Sequence, residues 1–103
     1  MLRVVERVFG EGALSGGAHA GLPTGYQLTV YRNWEDKSGA LTAGDFVIEG
    51  HVMASPDDLR PLLFTAEPLI LTLDDGRRVR VYVVSEEGAV SGADGEGLEE
   101  RTA

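Results

Sequence analysis

Leu69-Ile70-Leu71-Thr72-Leu73-Asp74-Asp75-Gly76-Arg77-Arg78-Val79-Arg80-Val81-Tyr82-Val83-Val84 is the stretch whose reading decides the fold. Two β-prone runs, 69–74 and 77–84, flank a turn signal, and only the register is open. A two-residue loop of Asp75-Gly76 would pair Leu73 with Arg78 and Leu71 with Arg80, putting arginines on the leucine face. A three-residue loop of Asp74-Asp75-Gly76 pairs Leu71 with Val79 and Leu69 with Val81. It leaves Ile70, Thr72, Arg78, Arg80 and Tyr82 on the other face. A slip of one residue flips every side chain, so the segregating register is predicted, with Gly76 left-handed in a bulge.

Just upstream, Ser55-Pro56-Asp57-Asp58 reads as a helix start. The Ser55 hydroxyl can accept from an orphan N–H, Pro56 suits the first helical position, and the aspartates face the positive end of the dipole. Pro61 limits the continuation to one or two short turns over 59–64, with Leu59, Leu62 and Leu63 plugging an end of the core. Earlier still, Tyr26, Leu28 and Val30 alternate with Gln27, Thr29 and Tyr31, and Phe46, Ile48 and Val52 alternate with Val47, Glu49, His51 and Met53. Both patterns have the period of a half-buried strand. Gly50 falls on the apolar face of the second, where glycine marks a bulge, a bend or a close backbone approach. A polar connection is predicted around 34–44.

Residues 1–9 have an ambiguous period that their three valines tip toward a strand: Leu2, Val4 and Val8 form one face, and Glu6 is misplaced on it. Residues 10–25 hold six glycines and no sustained period, and are predicted to be a glycine-rich loop. On the C-terminal side, 85–90 offers one more turn and a short return strand. Residues 92–103 carry Leu98 as their one large apolar side chain among Gly, Asp and Glu, the composition of an acidic, disordered and dispensable tail.

These readings add up to a single β domain over 1–91, in a chain of 103 residues. The fold class is all-β: a small antiparallel, partly open barrel of SH3-like or OB-like type, or a two-sheet sandwich, with five or six short strands and one short helical connection.

Composition removes several classes of function. The absence of cysteine excludes disulfide frameworks, thiolate metal sites and cysteine nucleophiles. A net charge of −8 repels nucleic-acid phosphates and anionic lipid, so neither nucleic acid nor a membrane is an expected partner. The start of the chain has charges within its apolar stretch rather than a signal-type apolar run, which gives a cytoplasmic expectation.

Candidate chemistry is sparse. Glu49 and His51, two apart on one strand, share a face and form a candidate ligand site, without the third or fourth ligand that zinc needs. Gly10-Glu11-Gly12 lacks the third glycine and the lysine of phosphate-binding loops, and Glu11 would repel phosphate. Paired carboxylates at 35–36, 57–58, 74–75 and 86–87 sit at turns or caps, where local hydrogen bonding accounts for them. No catalytic constellation, metal site or cofactor is expected. The remaining surface signal is Arg78, Arg80 and Tyr82 on one strand face, with Tyr31 also outward, a residue set typical of protein-binding hot spots. Its bland counterpart is a basic strand balanced by acids of the same chain.

The functional expectation is therefore a non-catalytic interaction domain, an accessory subunit or a homodimer that shields its sheet edges. The alternative is a small enzyme or ligand binder using His51, Glu49 and the glycine-rich loop. A pocket holding His51 would favour the second, and an apolar patch at a strand edge the first.

Overall fold

The computed structural model describes residues 1–16, 19–93, 95, 97 and 98. Its elements are β1 (Leu2–Gly16), β2 (His19–Lys37), β3 (Ala40–Met53), α1 (Pro56–Leu59), a 3-10 turn (Arg60–Leu62), β4 (Leu69–Thr72), β5 (Arg78–Val83) and β6 (Ala89–Gly92). The strands pair antiparallel in the order β1-β2-β3-β6-β5-β4, and β4 returns to β1 through Ala13, Leu14 and Ser15. The all-β reading with a short helical connection holds, and the barrel is closed rather than partly open. Closure is possible because β1 bends: it stays paired with β2 along its length while its last residues reach β4.

The local signals act as read. Leu69 pairs with Val81 and Leu71 with Val79. Leu73 N–H donates to the Arg77 carbonyl at 2.8 Å, which closes a loop of Asp74-Asp75-Gly76 with Gly76 at φ +90°. Ser55 Oγ accepts from Asp58 N–H at 3.3 Å, Leu59 and Leu62 are buried in the core, and Leu63 packs against it partly buried. Inside, Tyr26, Leu28 and Val30 meet Ile48, Val52, Val81, Val83 and Val90 in one apolar cluster.

Three expectations need correction. Residues 10–25 are not a loop, for Gly10–Gly16 completes β1 and His19–Gly25 begins β2; Gly17 and Ala18 lie outside the described residues. The glycines hide a strand because they serve close approach. A Cβ at Gly12 would collide with the Thr72 carbonyl oxygen, and one at Gly10 with the Asp74 carboxylate and the Tyr26 hydroxyl. Gly50 behaves alike against the Gln27 carbonyl, as its place on the apolar face foretold.

The polar connection around 34–44 is likewise strand on both sides of a two-residue turn. Lys37 pairs with Ala40 around Ser38 and Gly39, at φ 55° and 82°. Here the hairpin projects beyond the barrel, so neither face is fully buried and no alternation is demanded.

The third correction concerns 92–103. Gly92 ends β6, Ala93 N–H donates to the Arg80 carbonyl, Phe46 N–H donates to the Gly95 carbonyl, and Leu98 packs against the core. The start of the supposed tail is part of the domain. Asp94, Glu96 and 99–103, also within that predicted tail, lie outside the described residues.

Candidate interaction surface

β1 differs from the other strands in what lies beside it. Its partner β2 covers one side from Leu2 to Gly16, whereas β4 covers the other side only at residues 13–15. Over residues 2–12 the outer side has no strand among the described residues. A cleft of about 200 Å³ between Arg7–Phe9 and Asp74, Asp75 and Arg77 marks where the β4–β5 hairpin leaves the ladder. A row of unpaired backbone groups is thus presented to the surroundings.

The side chains of this segment depart from the sequence reading. Val4 pairs with Tyr31 and Glu6 with Val30, so Val5 is an inserted bulge residue. The bulge switches faces: Val8 stays inward, whereas Leu2 and Val4 turn outward, at 52% and 45% exposure. Val5 is 53% and Phe9 77% exposed. The misplaced Glu6 is explained by the same shift, because its carboxylate accepts from Arg77 at 3.0 Å. Arg77 also bonds Asp75 at 2.8 Å, and its side chain is 11% exposed. Burial alone would lower the Arg77 pKa, but the hydrogen bonds and charges of Asp75 and Glu6 outweigh it and raise the value. A Val-Val doublet that breaks alternation was the only sequence signal for this arrangement.

Tyr26 caps the same end of the barrel from within. Its hydroxyl donates to Asp74 Oδ1 and accepts from Asp74 N–H, both at 3.1 Å. Burial, chiefly, raises the phenol pKa above its ordinary 10.0.

The residues singled out from sequence fall on one continuous outer face. Tyr82, Ser91, Glu49, Thr29 and Arg7 form one cross-strand row, and Ala89, His51, Gln27 and Phe9 the next. Tyr31 sits between Val4 and Val47 in a third. A groove of about 680 Å³ is lined by Arg7, Phe9, Gln27, Tyr31, Glu49 and His51 among others. Tyr31 is therefore grouped with Glu49 and His51, while Arg78, Arg80 and Tyr82 stand outside the groove on β5. Arg78 and Arg80 each already have a partner in the chain.

Glu49 and His51 are both exposed, and no group of three or more His, Asp or Glu able to hold a metal occurs among the described residues. No helix among them is long and apolar enough to cross a membrane. Compared with family models, with curated proteins and with solved structures, the chain matches none.

Proposed function

We propose that the protein is a non-catalytic interaction domain whose working surface is the uncovered edge of β1. The observation that carries this reading is the coincidence of an open ladder over residues 2–12 with exposed Leu2, Val4, Val5 and Phe9. Backbone groups on such an edge give affinity by adding a strand, and alternate side chains give selectivity. Edge strands are normally blunted by lysine, proline or a bulge. Residues 2–12 contain neither lysine nor proline, and the one bulge, at Val5, leaves residues 6–12 in regular register. A partner protein strand fits these features, and an accessory-subunit role is consistent with them. The arginine face of β5 is a weaker candidate, since Arg78 and Arg80 have interactions of their own.

A second reading, a ligand-binding protein or small enzyme using Glu49 and His51, draws support from the groove that contains both. It ranks below the first because the pair is exposed and lies in an open groove, whereas small-molecule sites enclose most of their ligand. Residue-resolved amide exchange separates the two. In the isolated protein the outward amides of residues 2–12 should exchange fast, and a protein partner should slow them selectively. A small molecule that instead perturbs Gln27, Glu49 and His51, with 2–12 unchanged, would transfer the function to the groove.

A further inference from the structure

Resting on that reading of the β1 edge, we propose that its occupant is a second copy of this chain, paired antiparallel about a two-fold axis at Phe9. The open ladder is bounded symmetrically around this residue. The bulge at Val5 lies four positions before Phe9, and Ala13, where β4 takes up the edge, lies four positions after it. The regular stretch without a strand partner on its outer side is residues 6–12, with Phe9 at its middle. Asp74 and Arg77 of the neighbouring hairpin contact its inward residues Gly10 and Glu6, so the outer face carries the pairing.

Antiparallel pairing about that centre sets Phe9 against Phe9 of the second copy, Arg7 against Glu11, and Glu11 against Arg7. Arg7, Phe9 and Glu11 alternate along β1 and so share the outer face, opposite Thr29, Gln27 and Gly25. The aromatic pair would remove from water the most exposed large apolar side chain of the domain's described residues, at 77%. The flanking pairs are of opposite charge.

Neighbouring registers lack this match. A shift of one pairing step sets Arg7 or Glu11 against Phe9, and a larger one sets Arg7 against Arg7 or Glu11 against Glu11. Complementarity of one patch with itself is what a two-fold interface requires. The result joins the β1–β2–β3 strands of two copies into one continuous sheet. Closure of the barrel removes the need to protect an edge at β4, and the requirement moves to this stretch of β1.

Sedimentation equilibrium of the full chain tests the proposal. The wild type should shift from the 11.0 kDa monomer toward a dimer as concentration rises, with complete dimer by ~100 μM, the range of a modest interface. Arg7→Glu and Glu11→Arg should each weaken association by about tenfold or more, because like charges then oppose each other twice per dimer. An equimolar mixture of the two variants should recover the dimer, since every glutamate then faces an arginine. Loss of fold cannot produce that recovery. The chain has no cysteine, so Phe9→Cys should crosslink with itself under oxidation, and Phe64→Cys, equally exposed but off the edge, should not. A wild type that stays monomeric at ~100 μM overturns the second copy as occupant and leaves the edge reading to amide exchange. A dimer indifferent to both charge variants overturns this register and the choice of β1 together.

Discussion

The ribbon is built from three of the six strands that form the barrel, yet the two regions solve the edge problem in opposite ways. Within the barrel, β1 is taken up by β4 at residues 13–15 and β3 by β6, so the sheet closes and Leu14, Leu28, Val52 and Leu71 are fully enclosed. In the ribbon, made of residues 2–7, 31–37 and 40–47, the strands continue past their neighbours, and Leu2, Val5 and Leu41 are more than half exposed. Burial supplies the stability of the first region. The second holds together through the hairpin turn at Ser38-Gly39, Arg32 stacked on Phe46 at 4.5 Å, and the Met1 ammonium donating to Asn33 Oδ1 and the Trp34 carbonyl. Stability and association are therefore expected to depend on different residues.

The sharpest test of that separation compares two leucines. Leu71→Ala should destabilise by about 2–5 kcal/mol, the usual cost of a cavity in a closed core. Leu2→Ala, in the ribbon, should change stability by less than about 0.5 kcal/mol. Denaturant midpoints at unchanged m-value measure both, and a comparable loss at Leu2 would mean that the ribbon is a second core.

Glycines sharpen the comparison next. Gly50→Ala forces a Cβ against the Gln27 carbonyl of a neighbouring strand, so a loss of about 1–3 kcal/mol is expected. Gly44→Ala in the ribbon meets the Asn33 carbonyl only at 3.3 Å and should be tolerated at well below ~1 kcal/mol. Equal costs would show that the ribbon is as tightly constrained as the barrel wall.

Truncation after Ser91 comes third. It removes the Gly92 pairing with Val81, the hydrogen bonds made by Ala93 and Gly95, and the contact of Leu98 with the core. A fall in Tm of about 5 °C or more is expected, the equivalent of ~1 kcal/mol in a domain of this size. An unchanged Tm would restore the dispensable tail.

The smallest effect is a pH dependence at the barrel end. The raised pKa of Tyr26 means that the folded state keeps the phenol proton at pH values where the unfolded chain has lost it. Its contribution is complete below about pH 10 and is lost as pH rises through the folded value. Tyr26→Phe should therefore flatten the alkaline decline of stability, while costing about 1 kcal/mol at neutral pH through the hydrogen bonds to Asp74. An identical alkaline slope in the variant would place the effect on other groups.

What the sequence determined by itself is the structure that one buried face imposes on its neighbours in the chain. The register of Leu69 and Leu71 against Val81 and Val79, the left-handed Gly76, the Ser55 cap and the inward set of Tyr26, Leu28 and Val30 all follow from alternation or turn chemistry within a few residues. Glu49 and His51 on a shared face were legible for the same reason.

Tertiary structure alone decided where alternation stops being enforced. Gly10 and Gly12 read as a loop because the reason for their small size, Thr72 and Asp74, lies some sixty residues away in sequence. Glu6 read as misplaced until a bulge at Val5 turned it toward Arg77. Val5 carries no periodic mark of exposure, because a strand that leaves its barrel is no longer sorted by a core. The candidate edge was invisible for the same reason: whether a ladder is covered depends on which distant strand arrives beside it.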